Sequence, residues 1–285
     1  MCDGIAFAEG PVWCDTGDQA GTLVVTSVAE GALYRVWPAE HRAVQFADTG
    51  GGANGAALAS DGSIVVTQNG GIDFTKIGLF DEPPPYRPAT PGLQLATPDG
   101  RVSYLAEYDL HAPNDLAVAS NGDVYFTDPG HYPPEVEDAA RVMIFDRNGL
   151  RSFATGFYFC NGIAFDRTGD VVVVERQGLQ RVFADGSREW LIETLGRGAG
   201  DGFCFDAEGR AYVASTIEHG VRVVDPDGKI VDFLEIEGKG LTTNCCFGGD
   251  DLRTLYATDA IPGRVVAWEH MPTPGLPLMS WPGPA

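Results

Sequence analysis

Six residues with an oxygen-donor side chain, Glu9, Asn54, Asn114, Asn161, Asp201 and Asn244, each open a copy of one fifteen-residue pattern. The openers are spaced 45, 60, 47, 40 and 43 residues apart. Two carboxylates and four amides form a hard-donor set whose formal charge balances a divalent cation. Ca²⁺ suits such a set first because it takes many flexible oxygen ligands, with Mg²⁺, Mn²⁺, Zn²⁺ or Fe²⁺ as alternatives. Imidazole and thiolate are missing from the register. Asn-Gly and Asp-Gly are also ordinary turn dipeptides. The joint register favours ligands, because each opener stands a fixed distance before a second turn and leads into an apolar strand.

Something must bring six such distant residues together. In four copies the internal register is identical. A tight turn such as Asp61-Gly62 or Asn121-Gly122 separates an apolar stretch from Ile64–Gln68, Val124–Asp128, Val171–Glu175 or Ala211–Ser215. The first and last copies differ only in longer turns, 15–21 and 248–253. Each copy reads as a hairpin followed by a third strand, for example Ala32–Trp37 or Arg264–Trp268, and often by a fourth. Four antiparallel strands per 40–60-residue unit, six times over and without helical periodicity, predict an all-β fold, a six-bladed β-propeller. Residues 1–285 then form one domain, and rotation about the propeller axis turns a sequence register into a ring around the central channel. Only Met1–Ala8 precede the first copy, so Leu276–Trp281 is expected to supply the outer strand of the sixth blade.

Composition narrows the function. With 19 Lys+Arg against 40 Asp+Glu the net charge is −21, which repels phosphate backbones and anionic headgroups. Nucleic acid and membrane surfaces are therefore not the expected partners. The absence of a basic leader with an apolar run, and of any long apolar stretch, makes the cytoplasm the expected location. Six cysteines without CxxC spacing read as buried reduced thiols, although Cys160 and Cys245 flank site residues.

Ala8-Glu9-Gly10-Pro11-Val12-Trp13, Pro113-Asn114-Asp115-Leu116 with Tyr125-Phe126-Thr127-Asp128, Asn161-Gly162-Ile163-Ala164-Phe165 and Asp201-Gly202-Phe203 together resemble the SMP-30/gluconolactonase family, over essentially the whole chain. The resemblance implies one divalent metal in the channel, with Glu9, Asn161 and Asp201 as core ligands and Asn114 as a further one. Asn54 matches a substrate-contacting Asn; Asn244 has the right register and a less defined role. Members that take sugar lactones often carry an Arg two residues before the second-blade Asn, where this chain has Gly52.

The expected reaction is metal-dependent opening of a lactone or ester, a small-molecule substrate, with Asp201 accepting the proton of the attacking water. Phosphotriester hydrolysis at the same site, or a non-enzymatic calcium-binding stress protein, are the rival readings. No Gly-x-Ser-x-Gly elbow occurs, and of five histidines only His131 and His219 fall near a strand end that could reach a rim. Tyr132, and Tyr158 or Phe157, would favour a less polar substrate if they face the channel. The proline-rich insertion 69–92 reads as a lid or an oligomer contact. Asp128, Glu175 and Asp259 end second strands and read as blade-to-blade braces more readily than as a second ion site.

Overall fold

The structure, a computed structural model, describes residues 2–130, 139–277 and 279–282. It consists of six four-stranded antiparallel sheets, as the repeat predicts. Their first strands are Ala8–Cys14, Ala53–Leu58, Leu116–Val118, Cys160–Phe165, Gly200–Phe205 and Thr242–Gly248. Each of these contacts the first strand of the next blade, and the sixth contacts the first, so the six line one channel.

β-Branched and aromatic residues dominate the second strands, both faces of each sheet being covered by neighbouring blades. Val171–Glu175, for instance, is buried at all five positions. The result is six separate cores, one in each gap between blades. Cys14, Leu33 and Val66 pack between blades 1 and 2, Val142, Phe157 and Val173 between blades 3 and 4, and Tyr212, Phe247 and Leu255 between blades 5 and 6.

Closure differs from expectation. The outer strand of blade 6 is Cys2–Asp3, which pairs antiparallel with Val265 and Arg264, and not Leu276–Trp281. Two residues suffice because Cys2 and Ile5 also bury themselves in the core between blades 6 and 1. The segment assigned to that strand by sequence crosses the far mouth of the channel instead. It bonds to blade 5 through Leu276 N to Phe205 O, 3.0 Å, and to blade 2 through Trp281 N to Leu58 O, 2.9 Å. Blades 5 and 2 face each other across the axis, so this strap spans a diameter. Trp281, 5% exposed, anchors it in the core between blades 2 and 3.

Insertion 69–92 leaves blade 2 at the opener end of the channel. A 3-10 turn, Phe74–Lys76, capped by Asp73, drives Phe74 against Phe7, Val28 and Ala29 of blade 1 and against Phe80. Among the described residues no helix is long and apolar enough to cross a membrane.

Candidate metal centre

Every opener sits at a β-bulge. In blades 1, 2, 4 and 5 the pairing advances three residues on the first strand for two on the second, as from Glu9↔Thr26 to Val12↔Val24. Blade 6 slips between Thr242 and Asn244, and in blade 3 Asn114 N donates to Thr127 O while Thr127 N donates to Asp115 O. A bulge re-aims the side chain at its position. Repeated around the ring, it breaks the in–out alternation of each strand at one level.

The backbone at that level is locked between blades. Thr26 Oγ1 donates to Asn54 O at 2.6 Å, Thr67 Oγ1 to Asn114 O, and Thr127 Oγ1 to Asn161 O at 2.6 Å. Glycines follow four of the openers and let the next blade close in. A Cβ on Gly162 would stand 2.3 Å from Asp201 O, and one on Gly202 would stand 2.0 Å from Asn244 Cγ.

Blade 3 breaks this rule with Asp115, whose carboxylate joins the ring and which the sequence reading did not place in the site. Asp115 Oδ1 accepts from Leu116 N at 3.0 Å and Oδ2 from Ile163 N of blade 4 at 3.4 Å. The signal was legible: an acid where four other copies carry glycine.

Three carboxylates therefore share a buried space. Burial, followed by the charge of Asp115, pushes the Glu9 carboxyl well above the usual range, against the pull of Gly10 N and Asn244 Nδ2 on Oε2 at 2.8 and 3.0 Å. Burial holds Asp115 up at about 7, and burial together with the charges of Glu9 and Asp115 raises Asp201 well above the usual carboxylate range. The Asn161 side chain offsets part of that rise by hydrogen bonding to Asp201. Among the described residues no Lys, Arg or His forms an ion pair with any of the three.

A divalent cation fits this set. Asn54 Oδ1 and Asn161 Oδ1 are buried with no hydrogen-bond partner among the described residues. A buried acceptor without a donor is costly, and here carboxylate repulsion adds to it. A cation would relieve both. Among the described residues no three Asp, Glu, His or Cys side chains alone could hold a metal ion, so amide oxygens would have to share the coordination.

Glu9, Asn54 and Asn244 are buried, while Asn114, Asn161 and Asp201 keep partial exposure. Tyr158 stands before the blade 4 opener under the Arg176 guanidinium, 4.5 Å from the ring centroid, whereas Phe157 is fully buried between blades 3 and 4. Tyr132 and His131 lie outside the described residues. His219 is a buried brace, its Nε2 3.0 Å from Asp259 Oδ2. Asp259 also accepts from Leu241 N, as Asp128 does from His111 N and Ala112 N, and Glu175 from Tyr158 N and Phe159 N. These three carboxylates thus hold the loops that lead into the openers. Gly52 has φ +48, and a Cβ there would stand 2.0 Å from Asn69 Oδ1 and 2.5 Å from Gly71 N. The start of the insertion fills the place of the expected arginine.

Beyond the ring, toward the strap, lies a cavity of ≈ 590 Å³ lined by Val12, Leu116, Val118, Ile163, Phe203 and Leu276 among others, with Asp115 and Asn244 at its inner end.

Comparison with known proteins agrees with this architecture. The profile described as "SMP-30/Gluconolactonase/LRE-like region" matches residues 7–261. Regucalcin of Xenopus laevis is 25% identical over 276 residues, covering 92% of this chain and 86% of its own. The gluconolactonase of Zymomonas mobilis is 23% identical over 286 residues, covering 86% of this chain and 74% of its own. Among solved structures, a calcium-binding protein, regucalcin, from Agrobacterium tumefaciens superimposes with a TM-score of 0.78 at 20% identity, over 98% of this chain and 94% of that one.

Proposed function

Because the chain belongs to the SMP-30/gluconolactonase/LRE-like family, we propose that it is a metal-dependent lactone hydrolase whose site is the opener ring. The observation that carries this reading is the buried meeting of Glu9, Asp115 and Asp201 with the unpartnered amide oxygens of Asn54 and Asn161. The gluconolactonase and regucalcin relatives support the reaction class and a divalent ion respectively.

Glu9, Asn114, Asn161 and Asp201 would hold the cation, with Ca²⁺ first among the candidates. When bound, it supplies Lewis-acid polarisation of the lactone carbonyl and acidifies a water. Asp201 accepts the proton of the attacking water and returns it to the ring oxygen as the ester bond opens. Asn54 and Asn244 orient the substrate by hydrogen bonding, and Asn244 also fixes Glu9. Tyr158 would wall the mouth, and insertion 69–92 narrows it from the blade 1 side.

The filled space at Gly52 leaves a polyhydroxylated sugar acid without one cationic partner, so the substrate is a less polar lactone or ester. A panel of lactones of graded polarity, run on metal-stripped protein reconstituted with single divalent ions, tests the reading. Turnover that vanishes with chelation and returns with one ion supports it. A protein that gains thermal stability from Ca²⁺ and hydrolyses no member of the panel is a binding protein instead.

A further inference from the structure

Cys204 and Cys245 stand on the first strands of blades 5 and 6, neighbours in the ring, with their Sγ atoms 3.7 Å apart. The lactone chemistry leaves both unused. They line the cavity beneath the opener ring, whose border includes the exposed residues Asp15, Thr16 and Ser120, so a small solute can reach them from the strap side. Cys204 is half-buried, and Cys245 donates its S–H to Tyr212 O at 3.1 Å, which fixes its sulfur at the seam between the two blades. The adjacent Cys246 is no competitor: it turns into the core between blades 6 and 1, while Cys245 belongs to the core between blades 5 and 6.

We propose that Cys204 and Cys245 form an oxidation-closable staple between blades 5 and 6, with hydrogen peroxide as oxidant. One thiol takes an oxygen from the peroxide to give a sulfenic acid and water. The second thiol then attacks that sulfur, the S–S bond forms, and the hydroxyl leaves as a second water. Two thiols lose two electrons and two protons in all, and both peroxide oxygens end as water. The sulfurs must close from 3.7 Å to about 2.05 Å. Burial keeps the Cys204 thiol protonated, so the reaction is slow rather than blocked.

The staple would act on the site through the strands it joins. Cys245 directly follows Asn244, and Cys204 lies three residues beyond Asp201. Gly202 already touches the Asn244 side chain with no room for a methyl group between them, so the two strands have no slack at this level. A covalent tie just below would shift Asn244 against Asp201 and against its partner Glu9.

The test is a thiol count on the intact protein after prolonged exposure to hydrogen peroxide, removal of the oxidant, unfolding and alkylation, read by mass spectrometry. The expected result is loss of two of the six alkylatable thiols, a peptide joining Cys204 to Cys245, and full recovery with dithiothreitol. The melting midpoint should rise by on the order of 5 °C. Cys204→Ser and Cys245→Ser should each abolish the cross-link. If Cys245→Ser does not fold, Cys204→Ser, at a half-buried position and nearly isosteric, decides alone. Six free thiols after oxidation, a link between another pair, or overoxidised Cys204 without a link overturns the proposal. Because the readout is a mass, it is independent of the lactonase reading.

Discussion

The Asn244 amide donates to Glu9 Oε2 at 3.0 Å, joining the last blade to the first across 235 residues of sequence. The same ring closure is latched beside it by Thr243 Oγ1, which donates to Ala8 O at 2.8 Å. Completing the propeller and positioning the buried Glu9 carboxylate are therefore one event.

Asn244→Ala removes the side-chain donor that holds Glu9. Divalent-ion affinity should fall by roughly 10–100-fold, as for the loss of a group that orients a ligand, and the rate at saturating metal should fall much less than for loss of the proton acceptor. Asp201→Asn removes the proton acceptor, and turnover should fall by about 10²–10⁴-fold in a protein that still folds. Metal titrations and saturating-metal rates on both variants check this. Equal losses of saturated turnover would refute the division of roles.

Chelated protein should lose stability as pH rises. Unfolded, Asp115 has an ordinary carboxylate pKa of about 4; folded, burial holds it at about 7. Between these values the folded state binds the additional proton, so raising the pH favours the unfolded chain, by roughly 4 kcal/mol once the window is crossed. Glu9 and Asp201 shift in the same direction and extend the effect upward. Melting midpoints from pH 5 to 8 with chelator should fall, and excess Ca²⁺ should flatten the curve. A chelated protein that gains stability over this range contradicts the buried-carboxylate account.

Thr127→Val deletes the hydroxyl that donates to Asn161 O at 2.6 Å and leaves that carbonyl short of a donor. The expected cost is about 1–3 kcal/mol. It should appear as a lower urea midpoint at unchanged slope, with weaker metal binding because Asn161 loses its backbone anchor.

Trp281→Ala removes the anchor of the strap, a side chain 5% exposed that packs with Ala59, Val118 and Phe145. A loss of about 3–5 kcal/mol is expected. Proteolysis next to Trp281 should accelerate well before the propeller itself unfolds, since the blade 2 end of the strap then keeps its bonds to Leu58 and Ser60 without a buried side chain.

Blade number and the strand order within the first five blades were legible because a propeller repeats one local pattern, and local patterns are written in turn residues and period-2 alternation. Asp115 was passed over because it departs from the repeat that identified its neighbours. The sixth blade's outer strand was misassigned for a different reason. Cys2–Asp3 is too short to show a periodicity, while Leu276–Trp281 is apolar enough to pass for a strand.

By itself the sequence determined that six oxygen-bearing side chains open six copies of one blade, since the same turns and apolar strands follow each of them at spacings of 40 to 60 residues. Only the tertiary structure decided which of them share charge, because that depends on bulges and on glycine-sized gaps between strands distant in the chain. The same long-range packing set Cys204 beside Cys245 and laid the C-terminal strap across the far mouth, contacts between residues whose own neighbourhoods carry no sign of each other.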